Sequence, residues 1–334
     1  MKAIVLVGGE GTRLRPLTET LPKPLVPLVD RPFLDHVLDH LGRFGVDEVL
    51  LSSPYLEDRF ATYVAARTAA PRLTWIIESA PLGTGGAVAN AAAGLDETFF
   101  VLNGDILTDL DLSALLAHHR RSGASATLTV SPVEDARPYG LVALDGQGLI
   151  REFREKPDQQ VPGLVNAGTY VLEPSAVRGV PTDRAVSIER EVFPDLIAAG
   201  ELVQGFVSDD YWIDFGTPEK YLRATFDALE GRIRGLAYAA PHIDPQAEVS
   251  LRAALGRWVV AGPGSTIEAD AEVEDSVLLA GAVVEEGAKI RESILGPRSR
   301  VGAGAIVQGA VLAEAAALAP GSSTEGARVG PGRR

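Results

Sequence analysis

The chain contains no cysteine, which excludes a disulfide framework and any metal site built on thiolates. That usage suits a reducing compartment. Positive charge is also scarce: 31 Lys and Arg stand against 45 Asp and Glu, a net charge of −14. So acidic a balance argues against a nonspecific grip on nucleic acid or anionic lipid, both of which need basic surfaces. No apolar run reaches the length of a membrane span, and no signal-peptide core precedes the first apolar stretch. A cytoplasmic protein with neither nucleic acid nor membrane as partner is expected. Familiar chemical signatures are missing as well. No Gly-Lys pair completes a Walker A loop after Gly8, Leu14 stands where a GxGxxG fingerprint needs its third glycine, and there is no GxSxG elbow.

What is present is a chain of 334 residues, long enough for about two domains. Its most informative stretch runs from Val5 to Pro27, VLVGGEGTRLRPLTETLPKPLVP. The apolar run Ile4 to Val7 predicts a buried strand. It breaks into Gly8, Gly9 and Gly11, whose backbone amides can approach an anion with no Cβ in the way. Arg13 and Lys23 add fixed charge suited to phosphate oxygens. Pro22 and Pro24 stiffen the segment that carries Lys23. Three glycines alone would also suit an ordinary strand-to-loop turn; joined to the two cations and the fixed PLT and PKP, they suit a nucleoside polyphosphate.

GGEGTRLRPLT followed by LPKPLVPL resembles the signature of the sugar-1-phosphate nucleotidylyltransferases, the NDP-sugar pyrophosphorylases. These join a nucleoside triphosphate to a sugar 1-phosphate and release pyrophosphate. The resemblance implies a Rossmann-like, open, mostly parallel α/β sheet followed by a short left-handed parallel β-helix. It also implies that Thr12 joins the three glycines in the nucleotide cradle.

The rest of the chain can be read beside that resemblance. A helix is predicted over 33–44, with Phe33, Val37, Leu41 and Phe44 on one face and Gly45 as its stop. His36 and His40 lie one turn apart on it, but with no third ligand in view they read as a structural pair. Strands are predicted at 49–51 and 73–77, and strands alternating with helices predict an open α/β sheet. Its ligands bind beyond the carboxyl ends of the strands. The segment Pro81–Val88 reads as a glycine-rich turn feeding a helix over 87–93, or as a loop whose backbone reads a nucleobase edge. In the family this segment contacts the base; here Leu82, Gly83 and Thr84 are similar to the LGTAG-type loop of guanylyltransferases acting on mannose or heptose 1-phosphate. GTP and a mannose-like sugar 1-phosphate are therefore the favoured substrates.

Phe99–Asp105 is an apolar run ending in a carboxylate. Asp105 could cap a helix at Leu112–His119, or it could hold Mg²⁺, which takes hard oxygen ligands from one or two carboxylates plus phosphates. The resemblance makes it the first metal aspartate and Asp214, in YWIDFGTP, the second. It likewise implies a sugar-phosphate set: Gly140 in the PYG segment, Glu155 and Lys156 in EKP, and Asn166 in NAGTY. A solvated surface pair is the alternative for Glu155 and Lys156. Ser187 is predicted to cap a helix over 187–194. The implied catalytic cations are Arg13, Lys23 and Lys156.

After about Gly231 the texture changes. Ile243, Val249 and Leu255 are six apart, as are Ile267 and Val273, Val277 and Val283, Val284 and Ile290, and Leu295, Val301 and Val307. Such a period marks a parallel β-helix, although the register slips more than once. The expected division is a catalytic domain over 1–231, a hexapeptide coil over 240–320, and a flexible tail over 321–334. The coil offers a flat face for self-association, so a homo-oligomer is one expectation. Three other readings stay open: another nucleotide (dTTP, ATP or CTP) with glucose 1-phosphate or a cyclitol phosphate, a non-catalytic regulatory paralogue, and a β-helix acyltransferase. The last is disfavoured because His242, at the very start of the coil, is its one histidine.

Overall fold

A computed structural model describes residues 1–53, 58–78, 80–154 and 158–332. It divides into two compact units, Met1–Gly9 with His36–Trp212, and Glu10–Asp35 with Ile213–Arg334. No helix among the described residues is long and apolar enough to cross a membrane.

The first unit is built on a mixed sheet. Strand β1 (Lys2–Leu6) lies parallel between β2 (Glu48–Ser53) and β4 (Phe99–Asn103), and β3 (Arg72–Ile77) adds to β2 in parallel. A central parallel strand is covered on both faces, which is why Ala3, Ile4 and Val5 form an unbroken apolar run at 0% exposure. Beyond β4 the direction changes. β8 (Gly163–Leu172) runs antiparallel to β4, and β5 (Ala126–Val133) and β6 (Leu141–Leu144) pair antiparallel with β8. β7 (Ile150–Arg154) and β9 (Val203–Val207) complete the sheet on β6 and β5. Ile4, Val101, Leu128, Tyr170 and Phe193 meet in its core.

Helices follow the predicted pattern with two differences. α1 (Phe33–Arg43) closes just before Gly45, which adopts φ 76°. α2 spans Asp58–Ala66 and α3 spans Gly83–Ala91, so the glycine-rich segment is itself the first turn of the helix expected to begin at 87. At α4 (Leu112–Ser122) the cap is Asp111, whose side chain accepts from the Ala114 amide at 3.0 Å. Asp105 is therefore not the capping residue. Ser187 does cap, accepting from the Arg190 amide, but the turn it opens is a π-type turn over Ile188–Val192 that runs into α5 (Phe193–Ala198).

The second unit joins the loop Glu10–Asp35 to α6 (Pro218–Leu229) and a C-terminal coil. Phe33 stacks on Phe215 at 4.4 Å, Phe215 meets Tyr221 edge-on at 5.0 Å, and the buried Tyr221 hydroxyl donates to the Pro27 carbonyl at 2.9 Å. Tyr238 donates to Asp30 at 2.8 Å. On α6, Phe226 stacks on Trp258 of the coil at 5.7 Å and Glu219 pairs with Arg328 at 3.5 Å.

The coil consists of short strands stacked in three parallel ladders, consistent with a left-handed β-helix. Its first turn takes 18 residues (Ile243 pairs with Ala261), and the next turns take 17 (Ala261 with Leu278, Leu278 with Leu295). One residue is lost per turn from a strict six-residue period, and this is why the repeat slips in the sequence. The inward row holds Leu278 and Val284, so the spaced pair Val277 and Val283 is displaced from it by one position. Strands at Ser323–Glu325 and Arg328–Val329 extend two of the ladders into the segment expected to be a tail.

Candidate functional site

In the first unit, Gly8 and Gly9 follow β1, and Gly9 is exposed, with open space where a side chain would be. The Leu82–Thr84 segment is held on both sides. Leu82 and Gly85 exchange backbone bonds with Val186 at 2.7 and 2.8 Å, and Thr84 Oγ1 accepts from the Ile188 amide at 2.9 Å. Gly83 adopts φ 67°, and a Cβ there would stand 2.6 Å from the Val186 carbonyl oxygen, so only glycine fits. Beneath the segment lies Glu78, 5% exposed, accepting from Ser52 Oγ at 3.0 Å and from the Leu82 amide at 3.1 Å. A buried carboxylate is costly unless hydrogen-bonded, and here it fixes the loop's first amide.

Asp105 follows the end of β4, half-buried. The preceding Gly104 donates its amide to the Leu6 carbonyl at 2.9 Å, tying this strand end to β1. Along β8, Asn166 is fully engaged through its amide nitrogen. That nitrogen donates to Tyr170 Oη at 2.8 Å and Glu189 Oε1 at 2.6 Å, while Oδ1 accepts from the Gly168 amide at 3.0 Å. Burial, reinforced by the Glu189 charge, pushes the Tyr170 phenol well above its ordinary range, so it stays protonated. Gly140 is exposed. Its neighbour Tyr139 meets Trp212 edge-on at 5.2 Å, and both line an open cleft of about 350 Å³ with Ser131, Asp135, Asp209 and Asp210. Those carboxylates suit hydroxyl donors and would repel a phosphate. Glu155 and Lys156 lie outside the described residues.

In the second unit, Gly11 takes φ 62° and opens a short turn over Thr12–Leu14. Its carbonyl accepts from Thr18 Oγ1 at 2.7 Å, and a Cβ on Gly11 would meet Lys23 Cβ and Thr18 Cγ2 at 3.1 Å. The Lys23 stem is thus packed against the glycine turn. Thr12 and Arg13 are exposed, and Lys23 is half-buried. Asp214 ends the strand Trp212–Asp214. A Cβ on Gly216 would stand 2.8 Å from Arg13 Nη2 and 3.3 Å from Asp214 Oδ2. This glycine lets the Arg13 guanidinium and the Asp214 carboxylate approach one point. Lys220, in the first turn of α6, donates to Asp214 Oδ1.

The second unit therefore gathers Gly11, Thr12, Arg13, Lys23 and Asp214, while Gly8, Gly9, Leu82–Thr84, Asp105, Gly140 and Asn166 belong to the first. Three functional candidates escaped the sequence reading. Glu78 ends an apolar strand just as Asp105 does, a signal that was available. Glu189 stood in the segment read only as a capped helix. Lys220 had no motif to mark it. Among the described residues no group of three or more His, Cys, Asp or Glu is placed to hold a metal. Asp214 nevertheless already binds a cation, the Lys220 ammonium, through a hard oxygen, and such donors suit a divalent ion that takes its other ligands from water and phosphate.

A family model described as nucleotidyl transferase matches residues 2–231, and one described as the GMPPB C-terminal domain matches residues 238–334. A mannose-1-phosphate guanylyltransferase of Mycobacterium tuberculosis (strain ATCC 25618 / H37Rv) is 38% identical over 279 residues, 80% of this chain and 78% of that protein. Mannose-1-phosphate guanylyltransferase 1 of Arabidopsis thaliana is 36% identical over 290 residues, 84% of this chain and 80% of that one. Among solved structures, HddC from Yersinia pseudotuberculosis complexed with GMP-PN superposes with a TM-score of 0.60 at 31% identity, covering 68% of this chain and 98% of that one. Nucleotidyltransferases of this kind generally use a divalent metal. With a family model matching residues 2–231 and relatives 36–38% identical over most of its length, the chain belongs to the nucleotidyl transferase family.

Proposed function

We propose that the protein transfers GMP from GTP to mannose 1-phosphate or a mannose-like sugar 1-phosphate, releasing pyrophosphate. The observation that carries this reading is the match of both halves of the chain to a nucleotidyl transferase and its GMPPB-type C-terminal domain, with guanylyltransferase relatives spanning most of the length.

The attacking group is a phosphate oxygen of the sugar 1-phosphate, already ionised at neutral pH, so no general base is required. A bond forms from that oxygen to the α-phosphorus while the bond to the α,β-bridging oxygen breaks, and the electron pair leaves with pyrophosphate. Catalysis is then positioning plus charge stabilisation. Arg13 neutralises the leaving β- and γ-phosphates, Lys23 the α/β region, and Lys156 the sugar phosphate. Gly8, Gly9, Gly11 and Thr12 cradle the triphosphate through backbone amides, and Leu82, Gly83 and Thr84 face the base. Asn166, held by Glu189 and Tyr170, presents its remaining Oδ1 lone pair to a sugar hydroxyl, with Gly140 and Glu155 beside the same sugar. Asp105 and Asp214 are the carboxylates that would hold Mg²⁺, and the ion would supply Lewis-acid stabilisation of the charge that develops on the phosphates. Assembly through the flat faces of the coil completes the proposal, and sedimentation of the full chain reads it.

The test is a matrix of five nucleoside triphosphates against mannose, glucose and heptose 1-phosphates, followed by pyrophosphate release with Mg²⁺. GTP with mannose 1-phosphate should exceed every other pairing. Equal or greater turnover with another nucleotide overturns the base assignment.

A further inference from the structure

Lys220, the partner of Asp214, lies outside every motif that carries the reading above. Lys220 is the third residue after the Thr217 cap of α6. A cation in the first turn opposes the helix dipole, which is positive at that end. The fold nonetheless places an ammonium there and directs it back onto Asp214 Oδ1, with the two side chains 28% and 14% exposed. The other carboxylate oxygen, Oδ2, faces the point beside Gly216 that Arg13 also approaches. Asp214 is thus compensated by the protein's own cationic side chains before any metal arrives.

We propose that Lys220 is a resident counter-ion that a divalent metal must displace from Asp214, and that its ammonium then transfers to phosphate oxygens of the bound substrates. The inference rests on the reading of Asp214 as a metal ligand. A hard divalent ion needs carboxylate oxygens, and the ammonium occupies one of them. Lysine suits the exchange because its charge sits on a long flexible stem with three rotatable donors. Displacement raises the cost of binding metal alone, and a phosphate that receives the released ammonium returns that cost. Metal and nucleotide are thereby made to favour one another, a coupling between two ligands carried by one side chain. Lys220 is in this sense a positioning residue that sets when Asp214 becomes available.

The experiment titrates Mn²⁺ into the nucleotide-free full-length protein, following the unbound ion by its EPR signal, for wild type, Lys220→Met, Lys220→Arg and Asp214→Asn. Lys220→Met should bind Mn²⁺ on the order of tenfold more tightly than wild type, and Lys220→Arg, which keeps the charge, should stay near wild type. In EDTA the GTP affinity of Lys220→Met should match wild type, whereas at saturating Mg²⁺ its KM for GTP should rise several-fold. A Lys220→Met protein that binds Mn²⁺ like wild type overturns the proposal. So does equal tightening in the Met and Arg variants, which would mark a packing effect, or a loss of GTP affinity in EDTA. If Lys220→Met does not fold, Lys220→Gln takes its place in each arm. Asp214→Asn separates the two levels: unchanged Mn²⁺ binding in that variant removes the metal-ligand reading itself, whereas its loss beside an unaltered Lys220→Met removes only the counter-ion role.

Discussion

Substituting Gly83 by alanine tests the clamp on the Leu82–Thr84 segment most directly. At φ 67° a side chain costs about 1–2 kcal/mol. The new methyl would also stand 2.6 Å from the Val186 carbonyl oxygen and 3.0 Å from its amide nitrogen, both main-chain atoms with little room to give. Those same atoms already bond Gly85 and Leu82 at 2.8 and 2.7 Å. Moving them away weakens two hydrogen bonds, each worth about 0.5–1.5 kcal/mol. The combined loss is about 2–4 kcal/mol, and at roughly 2–4 °C per kcal/mol for a unit of this size the melting point should fall by about 5–15 °C. Calorimetry of the full chain measures the midpoint, and steady-state kinetics should show the KM for GTP rising on the order of tenfold with kcat less affected. Gly146→Ala is the control: nothing lies within 4 Å of its added Cβ and its φ is negative, so neither quantity should move. A Gly83→Ala protein with wild-type melting and wild-type KM would refute the clamp.

Glu78→Ala should strand the Leu82 amide in a buried site and leave the Ser52 hydroxyl with the Ala87 carbonyl at 3.5 Å; a hydrogen bond to a charged group is worth about 1.5–3 kcal/mol, so KM for GTP should climb about tenfold or more, and Glu78→Gln, which keeps one acceptor, should recover part of it. Asp275 in the coil has its carboxyl raised above 3.8 by burial, then by Glu274 and Glu292. The unfolded chain therefore ionises first, and the coil loses stability as pH climbs from 3.8 through the raised value. Asp275→Asn should melt higher than wild type at neutral pH and no higher below pH 3.8, as denaturation across that range would show. Arg13→Ala and Asp105→Asn should each lower kcat about a hundredfold or more with unchanged circular dichroism; wild-type turnover in Asp105→Asn with Mg²⁺ would remove that residue from the metal site.

What could be read in the chain beforehand depended on whether the cause was local. The run Ile4–Val7 declares a doubly covered strand because every residue in it is apolar, and Ser187 declares its cap by residue type. The glycine turn with Arg13 and Lys23 was legible because charge and backbone freedom occur together over a few residues. Glu78, Glu189 and Lys220 were not, because each draws its meaning from a partner brought close only by folding, such as Asn166 for Glu189. The same holds for the cap of α4: Asp111 and Asp105 are both aspartates near the helix start, and only the turn geometry selects Asp111. The coil was half legible. Its period showed, but a turn of 17 residues moves the inward row by one position each time round, so a six-residue ruler picked Val277 where the core takes Leu278.

The bonds that tie α6 and the Glu10–Asp35 loop to the coil bear on how such enzymes can be recombined. A hybrid joined at the apparent boundary near residue 235, taking the coil from one relative and everything before it from another, would have to preserve the Phe226–Trp258 stack and the Glu219–Arg328 pair. It would also need the Tyr238–Asp30 bond across its seam. Exchange should succeed only when the donor segment starts at Ile213 and brings its own version of residues 10–35 with it, because that is the piece of polypeptide whose side chains were fitted to one another.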